Sequence, residues 1–218
     1  MIIEFVGMSG VGKSTLISKL KPMLLQKSKR KVSSNQTLSL LIFSMKLLLF
    51  LIKANFILNP INGKARLKVT ERLLLSCLKH YKNQRKNDSY KIVDEGIIHA
   101  ILFSIDNRVV GKEVDYMRLI RATRFLLELE EVVVVFVDAH EKDIVKNRQK
   151  RNRSYNEKTI SLSLVEEERN RNARKLAILT ESKDQLSYTY INYSGDLSEE
   201  DTVLAIVNTV MEKELAEV

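Results

Sequence analysis

The chain has 218 residues, of which 44% are hydrophobic and 29% charged, a balance that suits one soluble domain and argues against extensive disorder. Its single cysteine, Cys77, excludes an internal disulfide and suits a reducing cytoplasm. The net charge of +9 indicates an anionic partner, such as a phosphorylated small ligand or an anionic membrane surface, whereas the scatter of basic residues disfavours nucleic acid. Because Met1 leads directly into a strand-like segment, we expect no cleaved signal peptide.

The chain begins with a predicted strand and helix. The β-branched and aromatic run IIEFV (2–6) indicates a buried parallel strand. Leucine and isoleucine then recur at helical spacing over 13–26, where Pro22 is expected to bend or end the helix. The segment SKRKVSS (28–34) is a candidate for a very short second strand.

The next segment, 37–58, is apolar almost all the way round and approaches the length of a membrane span. Lys46 and Lys53 lie inside it, and each would be costly at bilayer depth, which argues against a span. We therefore expect a helix that is covered, either by the protein core, by a second subunit or by a peripheral contact with a membrane. The core and a homodimer are favoured over the membrane.

Helices and strands alternate through the rest of the chain, after a turn at 59–64. The spacing of Asp138 and Glu141 suits a capping box at the start of a helix. The alternation predicts a three-layer α/β domain over 1–218 with a mostly parallel sheet. Further helices are predicted within 65–86, 97–105, 113–130, 157–179 and 198–216, and strands at 90–96, 132–138 and 186–193.

The stretch GMSGVGKST (7–15) lies between the first strand and the first helix and fits the phosphate-loop pattern. Glycines allow such a loop to curl, so that its backbone N–H groups point at a β-phosphate, and the helix dipole favours the same anion. The lysine would reach the β- and γ-phosphates, and the first hydroxyl would ligate Mg²⁺. The predicted nucleotide-binding residues are Gly7, Met8, Ser9, Gly10, Val11, Gly12, Lys13, Ser14 and Thr15.

Two predicted strands end in acidic residues: Asp94 and Glu95 close one, and Asp138 closes the other. Acids at the carboxyl end of a parallel strand face the ligand crevice. Asp138 has an alternative explanation as a helix cap, so we favour Asp94 and Glu95. Asp94 is assigned with Ser14 to the metal, while either acid could orient or deprotonate an acceptor hydroxyl.

The densest basic cluster, KNRQKRNR (146–153), follows the strand that ends at Asp138. Mobile arginines stabilise the negative charge that spreads over a γ-phosphoryl group during its transfer. Arg148, Arg151 and Arg153 are therefore predicted to belong to a lid over 146–156. The alternative is a solvated, basic helix end.

These motifs together resemble the nucleoside monophosphate kinase group, and within it the thymidylate and deoxynucleoside kinases. The resemblance covers most of the chain except about 30–62. It implies a five-stranded parallel sheet, Mg²⁺-ATP as the phosphoryl donor, a helical acceptor side over 37–86, and Arg72 as a residue that contacts the acceptor. It also assigns catalytic roles to Lys13, to Asp94 or Glu95, and to the lid arginines.

The residues expected to bind the acceptor differ from the patterns of these families. Thymidylate kinases usually place an arginine where this chain has Glu95, and deoxynucleoside kinases usually have Glu-Arg-Ser where this chain has Asp94-Glu95-Gly96. The apolar helix 37–58 replaces the usual acceptor region. The resemblance therefore implies phosphoryl transfer to a small acceptor, which the sequence leaves open among a nucleotide, a nucleoside, a sugar and a polyol.

The sequence leaves two alternative functions. One is a regulatory ATPase or GTPase with the same loop, although no Asn-Lys-x-Asp guanine motif is present. The other is a membrane-peripheral kinase that acts on a lipid-linked glycan precursor, with 37–58 as its membrane contact.

Overall fold

A computed structural model gives the structure of the protein. It describes nine stretches of the chain: residues 2–27, 36–61, 63–84, 90–104, 115–127, 132–151, 161–181, 187–193 and 198–216.

The described strands form one parallel sheet with the order β2-β1-β3-β4. They are β1 (Ile2–Val6), β2 (Lys91–Asp94), β3 (Val132–Ala139) and β4 (Ser187–Tyr193). Every residue of β1 and β3 is buried, which explains their continuous apolar sequences, since helices cover both faces of a parallel sheet. The α/β prediction is confirmed, but the described residues contain four strands rather than five, and the candidate strand at 28–34 lies outside them.

The helices among the described residues pack in two groups. The first helix contacts the last. In the other group, the second helix contacts the third and the fifth, and the fifth contacts the seventh. They are α1 (Lys13–Lys27), α2 (Gln36–Ile57), α3 (Gly63–Gln84), the short α4 (Ile97–His99) that continues as a π-helical turn (Ala100–Ser104), α5 (Tyr116–Leu127), α6 (Glu141–Arg151), α7 (Leu162–Glu181) and α8 (Glu199–Ala216).

The structure corrects two expectations about helix boundaries. Of the two alternatives for Pro22, that it ends the helix is wrong, because α1 continues to Lys27. Asp138 is still part of β3 and does not cap the following helix, which begins at Glu141. The ring nitrogen Nδ1 of His140 instead accepts a hydrogen bond from the backbone N–H of Lys142 at 3.4 Å.

Only one face of α2 is covered by the protein core. Phe43, Phe50, Ala54 and Ile57 are buried, and the Phe43 ring stacks on that of Tyr81 with centroids 4.0 Å apart. The opposite face exposes six large apolar side chains between 41% and 76%, which we call the α2 stripe: Ile42, Met45, Leu48, Leu49, Ile52 and Phe56. Within the described residues, no helix combines the length and apolarity that a membrane crossing requires.

Candidate active site

The loop that joins β1 to α1 turns through three glycines with positive φ angles. Gly7, Gly10 and Gly12 have φ angles of +145°, +93° and +95°, in the region that L side chains rarely adopt. At Gly7 a side chain is also excluded by lack of space, because a Cβ atom would lie 2.3 Å from the carbonyl oxygen of Val137 in β3. The glycines therefore permit both the curl of the loop and its close approach to the neighbouring strand.

Lys13 is buried at the centre of this loop, with 6% of its side chain exposed. Its ammonium group donates to the carbonyl oxygens of Gly7 and Met8, both at 2.9 Å. It also lies 3.7 Å from the carboxylate of Glu95, beyond the end of β2. A positive charge is therefore held inside the loop, where the phosphates of a nucleotide would lie.

Ser14 and Asp94 meet across the gap between α1 and β2. The Ser14 hydroxyl is 3.5 Å from Oδ2 of Asp94, while Oδ1 of Asp94 is buried and has no hydrogen-bond partner within the described residues. Lys79 on α3 donates to the backbone carbonyl of Asp94. A hydroxyl and a carboxylate are the oxygen ligands that Mg²⁺ accepts beside nucleotide phosphates, so this pair fits the ion that the sequence predicts. No group of three His, Cys, Asp or Glu side chains that could hold a metal occurs in the described parts of the chain.

Glu95 has an uncommon backbone conformation, with φ of +56°, and is the non-glycine residue with positive φ among those described. Its side chain is 54% exposed and lies 3.8 Å from Nε2 of His99 as well as near Lys13. Burial, with the charges of Lys13 and Lys175, lowers the pKa of His99 to about 3, so this imidazole is neutral at physiological pH. A left-handed conformation at a non-glycine residue is costly and is concentrated at functional sites.

The sequence patterns did not identify Glu4, a buried carboxylate that contacts the start of the helix after Glu95. Glu4 in β1 is 3% exposed, and its Oε1 accepts a hydrogen bond of 2.7 Å from the backbone N–H of His99. Burial raises the pKa of Glu4 to about 7. A Cβ atom on Gly96 would lie 2.6 Å from the Glu4 carboxylate, which explains the glycine that follows Asp94 and Glu95. A charged residue in the middle of the apolar run IIEFV was the available signal.

The structure places Arg148 directly against the phosphate loop. Its Nε donates to the carbonyl of Ser9 at 2.8 Å, and its Nη2 donates to the Glu168 carboxylate on α7 at 2.6 Å. Asn147 donates to the carbonyl of Gly10 at 2.8 Å. The amino end of the predicted lid, on α6, is thus anchored to the loop.

Of the other predicted site residues, some have side chains outside the described residues, and the rest lie on α3 or in the stretch 7–15 itself. Arg151 ends α6, but its side chain lies outside the described residues, as does Arg153 with the rest of the lid beyond it. Arg72 is exposed on α3, two helical turns before Lys79 and hence on the same face as the lysine that contacts the end of β2. In the loop, Met8 and Val11 are buried, and Ser9 and Thr15 are exposed.

Comparison with known proteins adds information about the fold. No family model and no curated protein matches the chain. Three solved structures of deoxyadenosine kinase from M. mycoides match it over nearly its full length. The one with products dCMP and a flexible dCDP bound has a TM-score of 0.54 at 17% identity, covering 97% of this chain and 100% of that one.

The other two structures of that kinase give similar values. The one with bound dATP has a TM-score of 0.50 at 19% identity, covering 96% of this chain and 99% of the other. The one with bound dCTP has a TM-score of 0.51 at 18% identity, covering 97% and 100%. The chain therefore shares its α/β fold with this deoxyadenosine kinase, and none of the three structures is a thymidylate kinase.

Proposed function

We propose that this protein is a single-domain kinase that transfers the γ-phosphoryl group of ATP, with Mg²⁺, to a small acceptor of the nucleoside class. One observation carries the proposal. At the carboxyl ends of β1 and β2, a glycine-rich loop surrounds Lys13, and Ser14 and Lys13 lie within 3.7 Å of Asp94 and Glu95 respectively. Phosphoryl transfer needs a cationic phosphate cradle, metal-binding oxygens and an acid beside the acceptor, all at one place.

The proposed roles follow from the contacts. The loop N–H groups and Lys13 bind and neutralise the phosphates, and a nucleotide competes with the carbonyls of Gly7 and Met8 for the ammonium protons. Ser14 and Asp94 would hold Mg²⁺, which would supply positive charge beside the phosphates. Arg148 is close enough to the loop to stabilise charge on the transferred group once Glu168 releases it.

Glu95 is the better candidate for the acceptor side. It is exposed, lies beyond the strand end and is held by a strained backbone beside a neutral imidazole, His99. Its carboxylate would orient or deprotonate the acceptor hydroxyl. A nucleoside acceptor is supported by the fold and by the nucleotides dCMP, dATP and dCTP bound in the similar structures.

The proposal is tested by nucleotide binding and by ADP release. Lys13→Ala removes a charge-assisted contact, so ATP affinity measured by calorimetry should fall at least about tenfold, while Lys21→Ala on the exposed face of α1 should leave it unchanged. With deoxyadenosine or deoxycytidine as acceptor, Asp94→Asn and Glu95→Gln should lower the rate of ADP release by about 10²–10⁴. Unaltered ATP affinity in Lys13→Ala, or full turnover in both acid variants, would contradict the proposal.

A kinase that works at an anionic membrane surface is a second candidate, favoured by the α2 stripe. The helix that carries the stripe, α2, contains two lysines, Lys46 and Lys53, and no acid. Apolar side chains flanked by basic ones bind anionic lipid surfaces. A second copy of the chain would instead bring two cationic surfaces together, which is unfavourable. The sequence favoured the core or a second subunit over a membrane as the cover of this helix. The positive charge favours an anionic membrane over a second subunit, so we propose that a membrane covers the α2 stripe.

A further inference from the structure

The middle of β1 contains a charged residue at a position that apolar side chains usually occupy. Glu4 pairs with Val93 of β2 and Val134 of β3 in the sheet and is 3% exposed. Its neighbours along the strand, Ile3 and Phe5, are fully buried. Burying a carboxylate is costly unless other groups hydrogen-bond to it, so a glutamate at this position requires compensating contacts.

Glu4 makes such contacts with the start of α4. Its Oε1 accepts a hydrogen bond of 2.7 Å from the backbone N–H of His99, and the N–H groups of Ile97 and Ile98 also stabilise the charged carboxylate. The first N–H groups of a helix have no partner within the helix, and Gly96, which precedes α4, has no side chain that could bind them. Glu4 therefore caps α4 from β1.

This cap fixes one end of the turn that contains Glu95. The other end is fixed by the backbone N–H of Glu95, which donates to the carbonyl oxygen of Phe5 at 3.3 Å. Between these two attachments to β1, Glu95 has a φ of +56°. Such a conformation is costly for a residue other than glycine and persists only where the surrounding structure imposes it. The two attachments to β1 supply that constraint.

The conformation of this turn determines where the Glu95 carboxylate lies. Its Oε1 is 3.7 Å from Nζ of Lys13 and 3.8 Å from Nε2 of His99. The direction of a side chain follows from the backbone conformation of its own residue. If Glu95 returned to a negative φ, its carboxylate would therefore point in another direction relative to β1 and Lys13.

We propose that Glu4 is a positioning residue for phosphoryl transfer: by capping α4, it holds the left-handed turn at Glu95 and so keeps the Glu95 carboxylate beside Lys13. Glu4 is buried and acts through Glu95 rather than on a ligand. Displacement of a reacting group by about 1 Å can lower a rate about 10²-fold, so a distant cap can matter for turnover. The effect on turnover rests on the proposed function, whereas the coupling between Glu4 and the turn does not.

The coupling is measured by a double-mutant cycle of unfolding in urea. Glu95→Gly relieves the left-handed conformation and should raise the unfolding midpoint of the wild type. Glu4→Leu removes the cap, which lets the turn relax, so Glu95→Gly should then give no further gain. In Glu71→Leu, a control at an exposed carboxylate on α3, the gain from Glu95→Gly should persist. An equal gain in Glu4→Leu and in the wild type would overturn the proposal.

The effect on the reaction is measured as ADP release, with deoxyadenosine or deoxycytidine as acceptor. Glu4→Leu should lower kcat by about tenfold to 10²-fold and leave ATP affinity in calorimetry unchanged, because the turn acts on the acceptor side. Glu4→Gln retains an oxygen that accepts from the N–H of His99, so it should keep the wild-type kcat. In a Glu95→Gln background, Glu4→Leu should cause no additional loss, since its effect acts through Glu95.

A wild-type kcat in Glu4→Leu, or a loss that adds to that of Glu95→Gln, would contradict the positioning role. If circular dichroism shows that Glu4→Leu is unfolded, Gly96→Ala takes its place in both measurements. A Cβ atom at Gly96 would lie 2.6 Å from the Glu4 carboxylate and should disturb the cap and lower kcat, whereas Gly63→Ala should not. A wild-type kcat in Gly96→Ala would then overturn the proposal. Absence of ADP release by the wild type would contradict the kinase proposal alone, because the unfolding cycle tests the coupling without turnover.

Discussion

The buried carboxylate of Glu4 makes the stability of the protein depend on pH in an unusual direction. Burial raises its pKa from 4.5 to about 7, against the lowering effect of the backbone N–H groups of Ile97, Ile98 and His99. The folded state therefore binds more protons at this group than the unfolded state between these two values. Stability from Glu4 is fully present below pH 4.5 and is lost as pH rises through 7.

The magnitude follows from the separation of the two pKa values, which corresponds to about 3 kcal/mol. Two histidines act in the opposite direction, since burial lowers the pKa of His99 to about 3 and that of His80 to about 4 from 6.5. Their contribution is lost as pH falls below 6.5. The Glu4 effect must therefore be isolated as a difference between a variant and the wild type.

Glu4→Gln isolates it, because the amide imitates the protonated acid and its oxygen still accepts from the N–H of His99. In urea unfolding, the variant and the wild type should be equally stable near pH 4.5, and the variant should gain up to about 3 kcal/mol by pH 8. Glu71→Gln, at an exposed carboxylate on α3, serves as the control. A stability difference that does not change with pH would refute the reasoning.

The remaining predictions concern the backbone of the site and the α2 stripe. Glu95→Gly relieves the left-handed strain and should raise the free energy of unfolding by about 1 kcal/mol while abolishing turnover, whereas Glu95→Gln should lose turnover without that gain. Gly10→Ala places a Cβ atom 3.0 Å from Arg148 at a φ of +93° and should weaken ATP binding in calorimetry; Gly63→Ala, where a Cβ meets nothing within 4 Å, should not. The protein should sediment with phosphatidylserine-containing vesicles but not with phosphatidylcholine alone, and Leu48→Glu should prevent this while Leu204→Glu on α8 should not. A dimer in light scattering that Leu48→Glu disperses would show instead that a second subunit covers the stripe.

Local features of this protein could be read from the sequence because their determinants are adjacent in the chain. The pattern of loop 7–15 needs only glycines, a lysine and a hydroxyl at fixed spacing between a strand and a helix, and in the structure its three glycines have positive φ angles. The strands β1, β2 and β3 were predicted within a few residues, since buried parallel strands are continuous apolar runs. The acids Asp94 and Glu95 could also be placed, because carboxyl ends of parallel strands converge on one edge.

Contacts between distant residues could not be read in this way. Glu4 accepts a hydrogen bond from the backbone N–H of His99, 95 residues later, and no local sequence pattern predicts that contact. Asp138 was interpreted as a helix cap because Glu141 follows at the right spacing, whereas its carboxylate binds Arg169 on α7. The alternative partner is 31 residues away and comes within reach only when α7 packs beside β3.

The sequence by itself determined that this protein folds as an α/β domain with a glycine-rich loop between its first strand and first helix, because backbone conformation and strand burial depend on residue type and short spacing. The tertiary structure alone decided which face of α2 is left exposed and which residue the carboxylate of Asp138 binds. The apolar segment 37–58 is nearly uniform around its axis, so its sequence contains no signal for the side that packs against the core. That choice depends on the neighbouring helices α3 and α5, whose positions are set by the whole sheet.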